Sequence, residues 1–376
     1  MSCRPEIYKN ESVSSGRIGW CSSSNGRGAC SFTDRYLTVA LQMFLYLSYS
    51  KSVPSRLLQA PNQLEALKVM SKVVADTGEL EQIKRFTPID ATTNPTLVYK
   101  AMQMPQYSSL LDEAIAAEGK GAGINSISDR LAVKVGSEVL KLVPGRVSTE
   151  VDARLSYDTQ KTVDKALHII DMYGQEGYDA NRIYIKIAST WEGIRACEKL
   201  QREGIDCNMT LLFSFAQAAA CADAGAALIS PFVGRILDWY KMHKQREYEP
   251  EEDPGVVSVK RIYSYYKQYG YRTTVMAASF RSVGEVRALA GCDAITISPA
   301  LLEQLENSTD PLPYSLWPSM GGCVDPRYDL GGGAQHVFDQ MHGGDAMAVD
   351  KLKEGVDGFA ADAERLEALL SERLLK

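Results

Sequence analysis

The chain has 376 residues, of which 45% are hydrophobic, and a formal net charge of −6 at pH 7. This length suits one large barrel domain or two ordinary domains. The negative charge argues against a nucleic-acid-binding surface and a polybasic membrane surface. The eight cysteines contain no Cys-x-x-Cys pair, which favours a reduced intracellular protein. No metal site is expected, because the four histidines lack metal-ligand spacing.

The first 55 residues differ from the rest in composition. Ser, Gly and basic residues are frequent there, and an apolar stretch runs from Tyr36 to Tyr49. That stretch is too short to predict a transmembrane helix. We expect a poorly ordered extension over 1–55 and one folded domain over 56–376. The predicted location is the cytoplasm; a plastid or mitochondrion is the alternative if the extension is a transit sequence, which Glu6 and Glu11 disfavour.

Short apolar runs alternate with segments of helical periodicity after residue 56. The eight predicted strands are Lys72–Asp76, Arg85–Asp90, Val147–Asp152, Ile183–Ser189, Cys207–Phe213, Ala227–Val233, Thr273–Ser279 and Ala294–Ser298. Helices are predicted at Tyr107–Glu118, Ser126–Leu142, Asp158–Gly174 and Trp191–Glu203. This alternation favours a closed parallel (β/α)8 barrel, with an open doubly wound sheet as the alternative.

The end of the chain has two parts. Residues 310–344 are rich in Pro and Gly and lack periodicity, which predicts a long surface loop. The glycine cluster within it, Gly331-Gly332-Gly333, follows no strand, so it gives little support for nucleotide binding. An amphipathic helix is predicted over Ala346–Leu375. We therefore predict a single barrel with a C-terminal helix.

A lysine interrupts the predicted strand Ile183–Ser189. The run Ile-Tyr-Ile-Lys186-Ile-Ala-Ser is typical of a buried strand in a parallel sheet. A buried ammonium is unfavourable unless it is paired or loses its proton. Desolvation lowers the pKa of a lysine, and the neutral amine can form a Schiff base with a carbonyl compound. The alternative is a lysine at a strand end whose stem reaches solvent.

Other polar side chains lie within or just after the predicted strands. Alternate side chains of a barrel strand point inward, and active sites gather at the carboxyl ends of the strands. These residues should therefore meet at one mouth of the barrel. They are Asp76, Glu150, Asn208, Thr210, Ser230, Ser279 and Arg281.

Each of these residues also has a structural alternative. Asp76 could cap the helix that follows it, and Asn94, which precedes a proline, is placed to cap the next helix. Glu150 could form a structural ion pair with Arg146 or Arg154. The threonine and serine hydroxyls could be satisfied inside the core, and the arginines could be ordinary surface charges.

Taken together, the motifs resemble those of the transaldolase family over about residues 60–310 and 345–375. One signature surrounds the lysine, and another contains the asparagine–proline pair. The matching blocks are Asp90-Ala-Thr-Thr-Asn94-Pro95-Thr-Leu-Val98, Ser148-Thr-Glu150-Val-Asp152, Ile183-Tyr-Ile-Lys186-Ile-Ala-Ser-Thr-Trp-Glu-Gly193, Cys207-Asn208-Met-Thr210-Leu-Leu-Phe213, Ser230-Pro-Phe232-Val-Gly-Arg235 and Ser279-Phe280-Arg281.

The resemblance implies an activity and a set of roles. It implies a (β/α)8 barrel that transfers a dihydroxyacetone unit between sugar phosphates in the pentose phosphate pathway, without cofactor or metal. Lys186 would form the Schiff base, and Asp76 would be the general acid and base at carbon–carbon cleavage. Glu150 would move protons through a water held by Thr210. The implied substrate-binding residues are Asn94, Asn208, Ser230, Phe232, Arg235, Ser279 and Arg281, of which Arg235, Ser279 and Arg281 would bind the phosphate.

The resemblance also implies a homodimer, since family members are often dimers. Two other functions stay open at this point. One is a lyase that releases dihydroxyacetone through the same Schiff base. The other is a catalytically silent barrel that acts as a binding or scaffold protein.

Overall fold

The computed structural model describes residues 59–119, 121–319 and 323–375. Within these ranges the chain forms eight strands and fourteen α-helices. The strands are β1 (Lys72–Asp76), β2 (Asp90–Thr92), β3 (Val147–Glu150), β4 (Ile183–Ala188), β5 (Cys207–Leu212), β6 (Leu228–Pro231), β7 (Thr274–Ala277) and β8 (Ala294–Ile297). The helices are α1 (Gln63–Met70), α2 (Leu80–Phe86), α3 (Pro95–Met102), α4 (Ser108–Glu118), α5 (Ile124–Leu140), α6 (Thr159–Gln175), α7 (Trp191–Arg202), α8 (Phe215–Asp223), α9 (Val233–Lys244), α10 (Pro254–Tyr269), α11 (Val283–Ala288), α12 (Pro299–Glu306), α13 (Gln335–Gly343) and α14 (Ala346–Leu374).

The strands form a closed parallel barrel in chain order. Each strand pairs with the next, and β8 pairs with β1. The predicted barrel is therefore confirmed, and the open sheet is wrong. Seven of the eight predicted strands are present, with ends that differ from the prediction by no more than two residues.

The alternation of side chains along β4 shows how the barrel is filled. Ile183, Ile185 and Ile187 pack into the large core between the sheet and the helices. Tyr184 faces the other way and joins an interior layer whose other buried members are Val74, Leu228, Met276 and Ala294. Because side chains in a strand alternate, Lys186 lies on the same inward face as Tyr184, one step closer to the carboxyl end.

The second predicted strand, Arg85–Asp90, is wrong. Its first residues belong to α2, and β2 begins only at Asp90. Ile83 and Phe86 are buried three residues apart, which is a helical spacing. The helix ends at Phe86, and the next residue, Thr87, adopts a left-handed conformation with φ 45°. The apolar residues of this segment therefore form the buried face of a helix, not a strand.

The predicted loop over 310–344 is also partly wrong, because it contains α13. Phe338 is buried, and its ring lies 5.3 Å from that of Trp191 and 5.5 Å from that of His342, one turn further along the helix. These aromatic contacts stabilise a helix that local composition disfavours. The predicted extension over 1–55 lies outside the described residues. In the part of the chain that is described, no helix is long and apolar enough to cross a membrane.

The C-terminal helix α14 packs across the carboxyl end of the barrel. Phe359 and Val356 belong to a buried cluster that also contains Phe213 and Phe232 from the barrel mouth. Two exposed ion pairs also tie the last part of the helix to the barrel, Arg154–Glu367 at 2.5 Å and Arg373–Asp112 at 2.7 Å. Residues near the end of the chain thus reach the same mouth as the ends of the strands.

Close packing beside β4 gives a stability prediction. A Cβ atom on Gly193, in the first turn of α7, would lie 2.1 Å from the Ala188 carbonyl oxygen at the end of β4. We expect Gly193→Ala to lower the free energy of unfolding by about 1–3 kcal/mol, because this backbone atom cannot move aside cheaply. The control is Gly358→Ala in α14, where no atom lies within 4 Å of the added methyl group. The control should raise stability by about 0.5–1 kcal/mol.

Urea unfolding at equilibrium measures both differences from the midpoint and slope of each transition. The packing at the carboxyl end of β4 would be described wrongly if the two variants had the same stability.

Candidate active site

Strand register places the central residues side by side. Glu150 in β3 is paired in register with Lys186 in β4, and Lys186 is paired with Asn208 in β5. Asp76 ends β1 and is paired with Thr92 in β2. Three neighbouring strands therefore present an acid, an amine and an amide at the same level of the barrel.

Lys186 is almost completely buried, since only 5% of its side chain is exposed. Its Nζ lies 3.0 Å from Glu150 Oε2 and donates a hydrogen bond of 3.2 Å to the carbonyl oxygen of Thr93. The same nitrogen lies 5.9 Å from the centre of the Phe359 ring. The alternative of a lysine whose stem reaches solvent is therefore wrong.

Glu150 is the acid nearest to this amine, with 4% of its side chain exposed. The alternative pairings with arginine are wrong, because Arg146 pairs with Asp206 and Arg154 pairs with Asp152 and Glu367. Burial raises the pKa of Glu150 above its ordinary value, and the positive charge of Lys186 opposes that rise. A carboxyl group of this kind accepts a proton more readily than an exposed one.

Asp76 does not cap a helix. The residue before α2 is Glu79, and the Asp76 carboxylate instead accepts a hydrogen bond of 3.0 Å from the Thr92 hydroxyl. Thr92 Oγ1 also lies 2.9 Å from Thr296 Oγ1 in β8. Burial raises the pKa of Asp76, while the charge of Lys186 opposes the rise. A raised pKa near a reacting group suits a carboxyl that both takes and returns a proton.

The amide of Asn208 is held in one orientation by two hydroxyl groups. Ser230 Oγ donates to Asn208 Oδ1 at 2.6 Å, and Asn208 Nδ2 donates to Ser148 Oγ at 3.0 Å. The Ser230 hydroxyl is thus hydrogen-bonded, and Ser230 also lines the cavity that contains Lys186. Thr210 lies two residues along β5 from Asn208, and its Oγ1 is buried without a hydrogen-bond partner among the described residues. An unpaired buried hydroxyl of this kind is unusual and points to a function.

Asn94 caps a helix and also lines the site. Its side-chain oxygen accepts a hydrogen bond of 2.9 Å from the Leu97 N–H and so caps α3, which begins with Pro95. The predicted capping role is therefore confirmed. The same side chain also lines the cavity that contains Lys186, so its amide N–H groups are available to a bound molecule.

Two arginines lie at the rim of the site. The Arg235 guanidinium forms no ion pair with the described carboxylates and lies over the rings of Phe232 and Phe359, 5.0 and 5.4 Å from their centres. Burial and the nearby charge of Arg281 lower the pKa of Arg235. Arg281 is more exposed and pairs with Asp238 at 2.7 Å. The guanidinium groups of Arg235 and Arg281 together form a cationic rim around the site.

The backbone at this rim is tightly packed. Ser279 has a φ of 63°, a left-handed conformation that is unusual for a residue other than glycine. A Cβ on Gly234 would lie 2.5 Å from the Ser279 carbonyl oxygen, and the Gly234 N–H donates to that oxygen at 2.9 Å. The segments that carry Arg235 and Arg281 are therefore in direct contact.

Most of these residues share one cavity of about 390 Å³. Its lining residues are Asp76, Thr92, Asn94, Lys186, Ser230, Phe232, Arg235, Met276, Ala278, Ser279, Thr296 and Phe359. Glu150 and Asn208 do not line it, but they contact Lys186 and Ser230, which do. Arg281 lies at its edge beside Ser279, with Arg281 Nη1 3.4 Å from Ser279 Oγ. A second opening of about 600 Å³ reaches Glu150 but contains neither Lys186 nor Asp76.

Sequence reasoning missed four residues of the site: Thr92, Ser148, Thr296 and Phe359. Ser148 and Thr296 lie in β3 and β8 and could have been found from the alternation along those strands. Thr92 could not, because the second strand was predicted at Arg85–Asp90 instead of Asp90–Thr92. Phe359 could not, because its position depends on how α14 is rotated over the barrel. Within the described residues, no cluster of three or more His, Cys, Asp or Glu side chains could hold a metal ion.

Comparison with known proteins identifies the family. The model of the transaldolase/fructose-6-phosphate aldolase family matches residues 73–370. The transaldolase of Mannheimia succiniciproducens is 56% identical over 318 residues, which cover 83% of this chain and 99% of the relative. The transaldolase of Cellvibrio japonicus is 55% identical with the same coverage, and transaldolase A of Pasteurella multocida is 56% identical over 82% of this chain and 98% of its own. The chain therefore belongs to the transaldolase/fructose-6-phosphate aldolase family.

Proposed function

We propose that this chain is a transaldolase of the non-oxidative pentose phosphate pathway. It transfers a dihydroxyacetone unit from sedoheptulose 7-phosphate to glyceraldehyde 3-phosphate, giving erythrose 4-phosphate and fructose 6-phosphate. The observation that carries the proposal is the buried contact of 3.0 Å between Lys186 Nζ and Glu150 Oε2, beside a cavity that also contains Asp76 and Arg235.

The first step is formation of the Schiff base. Lys186 gives a proton to Glu150, and the neutral amine attacks the C2 carbonyl of the ketose phosphate. The carbonyl oxygen takes up two protons, one from the attacking nitrogen and one returned by Glu150, and leaves as water, which gives the iminium. The unpaired Thr210 hydroxyl supports a role in holding a water through which Glu150 acts. The raised pKa of Glu150 favours this exchange.

Carbon–carbon cleavage follows from the iminium. Asp76 removes the proton of the C4 hydroxyl, the bond between C3 and C4 breaks, and its electron pair moves toward the iminium to form an enamine. The aldehyde leaves while the three-carbon unit stays on Lys186. The hydrogen bond from Thr92, itself in contact with Thr296, holds the Asp76 carboxylate in place. Addition to the acceptor aldehyde reverses these steps, and Asp76 returns its proton.

The remaining residues bind the substrate. Arg235 and Arg281, with Ser279, bind the phosphate through their donor groups, for which the guanidinium fork is well suited. Phosphate competes with Asp238 for Arg281, because that pair is exposed at the rim. Asn94, Asn208 and Ser230 hold substrate hydroxyls.

Water exclusion separates a transferase from a lyase. Protonation of the bound enamine followed by hydrolysis would release dihydroxyacetone. Phe232 and Phe359 line the cavity around the amine and favour retention of the enamine until the acceptor arrives. Product analysis with and without erythrose 4-phosphate distinguishes the two activities.

The homodimeric state and the cytoplasmic location stay predictions.

The role of Lys186 gives a trapping prediction. Borohydride reduction with fructose 6-phosphate should attach the three-carbon unit to Lys186, and mass spectrometry should locate it on the peptide that contains this residue. Lys186→Met should give no adduct. Lys351→Met is a matched control, because the side chain of Lys351 is as buried, at 6% exposed, and also pairs with a glutamate. An adduct in Lys186→Met, or none in the wild type, would contradict the proposal.

The two carboxyl groups should be separable by the same method. Asp76→Asn keeps an acceptor for the Thr92 hydroxyl but cannot take a proton. We expect borohydride to trap it as the uncleaved six-carbon adduct on Lys186, while its turnover in the coupled transfer assay falls by roughly 10²–10⁴-fold. Failure of this variant to form the adduct would show that Asp76 acts before cleavage, and the division of labour proposed here would be wrong.

A further inference from the structure

The second opening, of about 600 Å³, takes no part in the steps described so far. Its walls come from the start of α3, one face of α5, the end of β3 and the last third of α14. Glu150 lines this opening, whereas Lys186 and Asp76 line the cavity in which the sugar is placed. The Glu150 carboxyl group therefore lies between the two spaces.

The wall between the second opening and the cavity is thin. Thr93 and Glu150 line the opening, and both contact the amine on the other side. Lys186 Nζ lies 3.2 Å from the Thr93 carbonyl oxygen and 3.0 Å from Glu150 Oε2. Asn94 lines both spaces. A small molecule in the opening is thus separated from the amine by a single residue.

One face of α5 gives the opening a polar wall. Asn125, Ser128, Asp129 and Ala132 line it, and their spacing of three and four residues places them on the same side of the helix. The Asp129 carboxylate is paired with Lys165. The Asn125 amide and the Ser128 hydroxyl form no side-chain hydrogen bond with another described residue. Both groups can therefore bind a passing water molecule.

An ion pair holds the opposite wall in place. Glu367 of α14 pairs with Arg154 at 2.5 Å, and Arg154 also pairs with Asp152 at 2.6 Å. All three residues line the opening. The pair joins α14 to the segment that follows β3, so it fixes the separation of these two walls. Ala363, one turn before Glu367, adds a small side chain to the lining.

The size and polarity of the opening suit water. One water molecule occupies about 30 Å³ in the liquid and needs two to four polar partners in a protein. The opening has room for several such molecules, and amide, hydroxyl, carboxylate and guanidinium groups line it. A site for an apolar molecule would need a lining without these groups.

The proposed chemistry requires water to move at this point. Formation of the Schiff base breaks the bond between C2 and its oxygen and releases one water molecule. Hydrolysis of the product Schiff base consumes one: its oxygen stays on C2, and its two protons end on the Lys186 nitrogen. A bound ketose phosphate fills the cavity during both steps, with its phosphate between Arg235 and Arg281 at the mouth. Water must then pass on another side.

We propose that the second opening is the path by which this water enters and leaves, and that Glu150 is the group at which the path meets the amine. This inference rests on the proposed function, which assigns the Schiff base to Lys186 and the phosphate to the rim. Phe232 and Phe359 line the cavity and are absent from the lining of the second opening. Water can thus reach C2 beside Glu150 without crossing the rings that cover the enamine.

The test measures oxygen exchange with a donor that cannot be cleaved. 4-Deoxyfructose 6-phosphate keeps the C2 carbonyl and the phosphate but has no C4 hydroxyl, so it forms the Schiff base and stays in the cavity. In ¹⁸O-labelled water, formation and hydrolysis replace the C2 oxygen only if the released water leaves. Borohydride quenching followed by mass spectrometry measures the label, and an enzyme-free sample gives the uncatalysed rate. We expect the wild type to catalyse the exchange.

Two substitutions should block the path without touching the sugar. Ala132→Leu in α5 and Ala363→Leu in α14, alone and combined, place larger side chains in the opening. We expect the combined variant to lose the exchange. Transfer from fructose 6-phosphate to erythrose 4-phosphate should continue, because the mouth of the cavity opens while the aldehydes are exchanged. Damage to the chemistry of Glu150 would instead slow both reactions.

Further measurements separate a blocked path from a disturbed fold. The inhibition constant of the analogue in the transfer assay should be unchanged, and circular dichroism verifies the fold; the single variants decide the question if the combined one does not fold. Ala361→Leu is the matched control, because Ala361 is also half-buried in α14 but does not line the opening. Ala363→Ser keeps the lining small and polar. Both should exchange oxygen like the wild type.

Three results would overturn the inference. The first is an adduct between the wild type and the analogue without oxygen exchange. The second is exchange at the wild-type rate in the blocked variants, and the third is a loss of exchange and transfer by the same factor. Absence of any borohydride adduct between the wild type and fructose 6-phosphate would instead refute the proposed function.

Discussion

The site depends on the burial of one amine beside one carboxyl group. Lys186 and Glu150 are both almost completely excluded from solvent, and their charged atoms lie 3.0 Å apart. Removing either partner from such a pair leaves an unpaired buried charge, which typically costs about 3–5 kcal/mol. The strand register of the barrel brings the two residues together, because Glu150 and Lys186 lie at the same level on adjacent strands. The same burial that makes the pair costly for folding allows a proton to pass between its members.

The other parts of the site are arranged around this pair in layers. Apolar side chains such as Tyr184 and Met276 fill the barrel below it, and the Phe359 ring covers it from above. The arginines stand at the rim, so the part of a sugar phosphate that they bind is distant from the bond that breaks. Binding energy at the phosphate can thus orient the reacting carbon atoms against Lys186 and Asp76.

The sequence predicted the features that arise from local pattern. The lysine within an apolar run, taken together with the polar residues on the neighbouring strands, predicted a buried amine in β4. The alternation of strands and helices predicted the barrel. Local pattern failed where tertiary contacts decide the structure: the segment around Arg85 forms a helix because its apolar face packs inward, and α13 forms around Phe338. The place of Phe359 in the site could not be predicted, since it depends on how the distant helix α14 packs against the barrel.

The most direct measurement is a crystal structure of the wild-type protein after borohydride reduction in the presence of sedoheptulose 7-phosphate. The account predicts a covalent bond between Lys186 Nζ and C2 of the bound unit inside the barrel. It also predicts the Asp76 carboxylate on the side where C4 leaves, and any retained phosphate between Arg235 and Arg281. An adduct on another lysine, or a phosphate bound away from these arginines, would contradict it.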